Sequence, residues 1–138
     1  MQVITLGTVN LMQAGRKLDG KVAVELGWQW GDTGRGFEAL LPPENDPRYN
    51  RALYGPFHFD KDGYLETMPH YSTSWNGMGE MIEEARQQFM YLDLIPQENG
   101  YTCEAKINTG FVVDSATEKE APYAVTRAFL KANGVHLT

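Results

Sequence analysis

Apolar side chains recur along this chain at two different intervals, and the two intervals divide it into helices and strands. Leu18, Val22 and Leu26 stand four apart and predict a first helix over 14–26, with Gly27 where a helix stop is expected. Trp75, Met78, Ile82, Ala85 and Phe89 follow at steps of three and four and predict a second helix over 73–90. Ser72, Thr73 and Ser74 are its candidate N-caps, and Glu80, Glu83 and Glu84 precede Arg86, the order the helix dipole favours. Gly77 and Gly79 each cost about 1 kcal/mol there against alanine, which is explained if another backbone or a ligand comes close. A last helix over 118–133 carries Ala121, Ala124, Val125, Ala128, Phe129 and Ala132 on one face and stops at Asn133-Gly134. Its mostly alanine stripe suits close packing on a sheet.

Shorter segments read as strands. Residues 91–95, 101–107 and 111–113 are bounded by turn signals at Glu98-Asn99-Gly100 and Asn108-Thr109-Gly110. Phe57 to Leu65 is predicted as a hairpin around Asp62-Gly63. Asp60, Asp62 and Gly63 lack the later acidic ligands of a calcium loop, so they are assigned to the turn. Gly27 to Gly36 is too glycine-rich for a helix, and Leu41 to Pro47 is a proline and turn segment. Together they predict a long irregular connection, part of an aromatic- and proline-rich insertion over 29–68 in one domain covering 1–138. Connections of that length are often functional, here as a lid or an interface. The expected fold class is α+β, a central antiparallel sheet sandwiched by helices.

Composition narrows the function. The chain has 138 residues, enough for a core without disulfide staples. Its net charge is −6, acids outnumber bases 18 to 12, and no Lys/Arg cluster appears. Duplex binding depends on neutralising phosphates, so a nucleic-acid duplex is not an expected partner. Cys103 is the sole cysteine, which excludes an intramolecular disulfide and a multi-cysteine metal site. Its place in a strand predicts a buried structural thiol. Met1 to Met12 lacks the basic flank and continuous apolar run of a leader, and no segment approaches the ~20 apolar residues needed to cross a bilayer. The expected location is the cytoplasm, with no membrane partner.

The residues that suggest a site gather at His70 to Gly77. A helix start presents unpaired N–H groups and partial positive charge, and so receives phosphate or carboxylate readily. Tyr71 and Trp75 would stack on a nucleobase, while Ser72, Thr73 and Asn76 would hydrogen-bond sugar or phosphate oxygens. The competing reading is capping by Ser72 or Thr73 with Tyr71 and Trp75 as core anchors. Arg127, one turn beyond Tyr123, is the best single candidate for grasping a phosphate if it turns inward, and an ion-pair residue otherwise. Trp28 and Trp30 share a face if their segment is extended and offer contact area, against core packing and loop anchoring. Arg35, between Gly34 and Gly36, would approach an anion if the loop is more than a flexible surface segment. That loop lacks the Gly-Lys-Ser/Thr ending of a phosphate-binding P-loop.

The enzyme case rests on His58, Asp60 and His70 as ligands of a zinc or manganese centre, since alternation places His58 and Asp60 on one strand face. No serine elbow or paired-histidine metalloprotease helix occurs. Neither catalytic residues, a bound metal nor a cofactor is therefore expected.

Three ordered segments resemble the phage ABA-sandwich domain family of small phage and prophage proteins. They are the opening helix from Ala14 to Gly27-Trp28, Pro69-His70-Tyr71-Ser72-Thr73 before the long helix, and Ala121-Pro122-Tyr123-Ala124-Val125-Thr126-Arg127-Ala128 in the closing helix. The insertion between Trp28 and His70 departs from the family pattern. The resemblance implies a sheet layered with helices and a phage origin. By analogy of fold and setting, it is similar to the anti-defence sponges that sequester nucleotide immune signals without cleaving them. The expectation is thus a non-catalytic homo-oligomer that binds a small nucleotide-like ligand. The alternative is an interaction or inhibitor module docking on a host defence protein, and third comes a metal-dependent nucleotide hydrolase.

Overall fold

Among the described residues, four helices and two antiparallel sheets alternate along the chain; the computed structural model describes residues 12–108 and 110–137. Met1–Leu11, where no leader pattern is expected, lies outside them, as do Thr138 and Thr109 of the predicted Asn108–Gly110 turn. The result is an α+β fold in which helices flank an antiparallel sheet.

Helix α1 (Arg16–Glu25) buries Leu18, Val22 and Ala23. Gly27, with φ +106°, ends it as expected. There the chain turns so that the Trp28 N–H reaches the Ala23 carbonyl at 2.9 Å and the Gly27 N–H reaches Val24 at 3.1 Å. This left-handed glycine closes the carbonyls that a helix end leaves open.

The segment predicted as irregular is ordered. Strand β1 (Gln29–Asp32) pairs antiparallel with β2 (Glu38–Leu41), Trp30 opposite Leu40. Gly34 and Gly36, both at positive φ, reverse the chain between them, and the Asp32 carboxylate accepts the Gly34 N–H at 2.8 Å. A short helix, α2 (Arg48–Tyr54), follows and was not foreseen. The predicted hairpin at 57–65 shrinks to one bridge, Phe59 with Leu65. Its turn does form, with the Asp60 carboxylate accepting the N–H groups of Asp62 and Tyr64.

Helix α3 (Trp75–Gln87) is capped by Ser74, whose hydroxyl accepts the Gly77 N–H at 2.9 Å. It is shorter at both ends than the apolar spacing implies. Met78, Met81 and Ala85 form its buried stripe, while Trp75 and Phe89 stand outside. Trp75 is the first helical residue, and Phe89 lies past the end at φ +65°, just before β3 begins.

Strands β3 (Met90–Gln97), β4 (Gly100–Ile107) and β5 (Phe111–Glu118) form the larger sheet in sequence order. Leu94, Cys103 and Ala116 make one inward row across it. Glu118, placed in the last helix by its charge, instead ends β5. Helix α4 (Ala121–Ala132) starts after Glu120 with Pro122 in its first turn. Its buried Ala121, Ala124, Val125 and Ala128 let it lie close over β4 and β5. Helix α3 packs beside it over β3, and α1 packs on α4.

Candidate functional site

The predicted junction splits in two. Tyr71 and Ser72 point into the protein, whereas Thr73, Trp75 and Asn76 remain outside. Tyr71 is fully buried and presents no ring face for stacking, which corrects the expectation for that residue. Its carbonyl accepts the Thr126 hydroxyl at 3.3 Å, and its own hydroxyl has no hydrogen-bond partner among the described residues. Burial, reinforced by the nearby Glu84 charge, drives its phenol far above the ordinary tyrosine range and keeps it neutral.

Ser72 is held by a buried carboxylate. Asp19, on α1, accepts the Ser72 N–H at 2.8 Å and the Ser72 hydroxyl at 2.7 Å. Arg16 donates to Asp19 at 3.1 Å and spreads its remaining donors over the carbonyls of Leu65, Glu66, Met68 and Pro69. The strap 65–72 is thereby tied to α1 across more than fifty residues of sequence. Gly77 explains itself here, because a Cβ on it would stand 2.3 Å from the His70 carbonyl oxygen. Gly79 meets nothing within 4 Å.

Around the outward residues lies a groove of about 530 Å³, at the joined starts of α3 and α4. Thr73 and Trp75 line it with Ser72 on one side, and Pro122 and Tyr123 of α4 contribute from the other with Glu120 just before that helix. Trp75 is 58% exposed and its ring stands edge-on to Tyr101, 6.0 Å between centroids. The Tyr123 hydroxyl donates to the Met12 carbonyl at 2.7 Å, which steadies that ring. Asn76 is exposed but does not line the groove. Glu120 is the one charged lining residue among those described, so an aromatic surface with hydroxyls, not a phosphate clamp, is what the groove provides.

The expected phosphate-grasping arginines are engaged elsewhere. Arg127 is paired with Glu118 at the end of β5. Arg35 donates to the carbonyls of Ala52 and Leu53 at 2.8 and 3.0 Å, closing the end of α2, and its guanidinium lies over Phe59. Trp28 is buried under the Arg48 guanidinium at 5.2 Å, and Arg48 also pairs with Asp46 at 2.7 Å. Trp30 stays outside, 47% exposed, edge-on to Tyr64.

Among the described residues no three His, Cys, Asp or Glu side chains come together to hold a metal ion, so His58, Asp60 and His70 do not form the centre weighed from sequence. Cys103 is buried, and desolvation, with Asp93 and Glu104 nearby, pushes its thiol up to about 12. Sequence reasoning missed Pro122, Tyr123 and Glu120. Their signal was the Ala121-Pro122 helix start, read only as a structural motif.

The fold is similar to that of a phage protein from Bacillus cereus ATCC 14579 solved at 2.0 Å, with a TM-score of 0.54, 14% identity and 94% of each chain covered. At this identity the likeness is one of fold. No family model matches the chain and no curated protein matches it, so the ABA-sandwich resemblance rests on its three segments.

Proposed function

We propose that this chain is a non-catalytic phage binding protein that holds the planar part of a small nucleotide-like ligand in the groove between the starts of α3 and α4. Trp75 carries the reading. It is the one residue of the predicted apolar stripe within α3 that is left exposed, it is braced by Tyr101, and it borders a groove that also holds Tyr123. A base stacked on an aromatic ring gains about 1–3 kcal/mol, enough to hold a ligand when hydroxyl groups complete the recognition. Thr73 supplies an exposed hydroxyl, since that of Ser72 is held by Asp19 and Gly15. The likeness in fold to a phage protein supports the phage setting, and sequestration of a host immune signal in the host cytoplasm is taken only by analogy with anti-defence sponges.

The test is to incubate the purified protein with a nucleotide and nucleoside panel, denature it by heat and analyse what is released. Intact release from the wild type, and none from Trp75→Ala, supports sequestration at this groove. Because Trp75 lies outside the core, its truncation should cost only its contact with Tyr101, and melting curves of the variant check that the fold is kept. Altered products would make the protein an enzyme, and nothing bound would remove the ligand reading.

One observation favours docking on a host protein instead. Phe89 is 72% exposed, and Tyr91, Phe111, Val112 and Val113 are exposed on the neighbouring sheet, Tyr91 and Val112 sharing a cross-strand row with Lys106. Exposed apolar patches of this kind mark interaction surfaces.

A further inference from the structure

A second cavity lies beside α1, apart from the groove, and the chemistry of its lining differs. It measures about 380 Å³, within the range of small-molecule sites. Met12, Val24 and Val135 give it apolar surface, and Trp30 and Tyr64 give it aromatic surface. The two rings meet edge to face, centroids 5.6 Å apart. Lys17 and Lys21 line it from α1. They stand one helical turn apart, about 6 Å along the axis.

One detail shows that this hollow is built. Gly20 sits between the lysines in mid-helix, where glycine is unfavourable by about 1 kcal/mol. A Cβ there would stand 2.5 Å from the Tyr64 ring, so the glycine is what lets the ring lie against α1. In a chain of net charge −6, moreover, neither lysine enters an ion pair among the described residues. Glu25 also lines the cavity, one turn beyond Lys21, and leaves its lining with one net positive charge.

We infer that this cavity is an anion site for a small aromatic phosphate ester, with the ring against Trp30 and Tyr64 and the phosphate at Lys17 and Lys21. Apolar and aromatic surface alone would take any flat hydrophobe. Two ammonium groups beside it, neither in an ion pair among the described residues, select one that carries negative charge. The site is independent of the Trp75 groove and shares no lining residue with it.

The probe is AMP, titrated by calorimetry at low salt, with adenosine and inorganic phosphate as its two halves. AMP is expected to bind saturably, each half at least roughly tenfold more weakly, and added salt to weaken AMP further. Lys17→Gln with Lys21→Gln should weaken AMP by roughly tenfold or more at unchanged melting temperature. Arg86→Gln with Lys119→Gln, which removes the same charge elsewhere, should leave it alone, and in a Trp75→Ala background, where the groove no longer contributes, the lysine-dependent binding should persist. No saturable binding at millimolar AMP, or equal binding by the double lysine variant, overturns the site. Loss of AMP binding in Trp75→Ala with retention in the lysine variant overturns it too, and assigns AMP to the groove.

Discussion

Replacing Asp19 by alanine tests whether the strap 65–72 is held as the geometry indicates. The carboxylate is fully buried and accepts two hydrogen bonds from Ser72 and one from Arg16. Alanine leaves the buried Ser72 N–H without a partner, at about 1–3 kcal/mol, and deletes charge-assisted bonds worth about 1.5–3 kcal/mol each. Part of this is recovered. The Ser72 hydroxyl can still turn to the Gly15 carbonyl, 3.3 Å away, and Arg16 keeps its four carbonyl partners. A net loss of about 3 kcal/mol remains, which for a domain of this size lowers the melting temperature by about 10 °C.

Calorimetry on Asp19→Ala, Ser72→Ala and the double variant measures this directly. The two residues share one network, so their costs should fall short of additivity by at least about 0.5 kcal/mol. Melting of Asp19→Ala within about 3 °C of the wild type, or full additivity, would refute the reasoning. Because Ser72 also lines the Trp75 groove, Asp19→Ala should weaken any ligand bound there without touching it.

The two glycines of α3 should respond in opposite directions. Gly77→Ala drives a methyl into the His70 carbonyl and should lower the melting temperature, while Gly79→Ala faces open space and should stabilise by about 1 kcal/mol; equal effects would sink the account. Alkaline pH should destabilise the fold. Burial raises the Cys103 thiol to about 12 and also raises the Tyr71 phenol, so both favour the native state while neutral. That contribution is whole below their unfolded values of about 8.5 and 10 and is lost as pH climbs past them. Melting temperature should therefore fall above about pH 9, and a thiol reagent at about pH 8 should label Cys103 only on unfolding. Self-association through the 29–68 segment is expected to involve Tyr54, 82% exposed and the most accessible of its aromatics. Light scattering that reports a monomer at every concentration would exclude it, and Tyr54→Ser should shift any oligomer toward monomer.

Long periodic segments were legible because burial imposes its interval on the sequence. Leu18 with Val22, and Ala124 with Ala128, record the packed faces of α1 and α4 directly. The small elements were not. Strands β1 and β2 have four residues each, too few to show alternation, and α2 has seven residues of which only Ala52 is buried. Spacing misled at the ends of α3. Trp75 and Phe89 keep the interval of the stripe, yet the Ser74 cap and the turn at Phe89 put them where the helix no longer faces the core.

The site was legible as a neighbourhood and illegible as a set of directions, and the reason lies in what polar groups must do when buried. Ser72, Arg35 and Arg127 have the chemistry of ligand contacts. Each is engaged by a partner elsewhere in the fold: Asp19, the carbonyls that end α2, and Glu118, with Arg127 Nε left unpartnered among the described residues. Most polar side chains drawn inward satisfy their bonds, as Ser72 does and the Tyr71 hydroxyl does not, so a functional look carries little information until the partners are known. The side chains left available are those the fold does not need to satisfy. Trp75 and Trp30 lie outside the core, and Lys17 and Lys21 sit on a helix face that reads in sequence as ordinary solvated surface. What marks them is convergence, with Tyr123 in one cavity and with Tyr64 in the other, brought about by chain segments more than thirty residues apart. A binding surface in a fold of this kind is therefore found by asking which groups remain uncompensated once the core and its polar ties are closed.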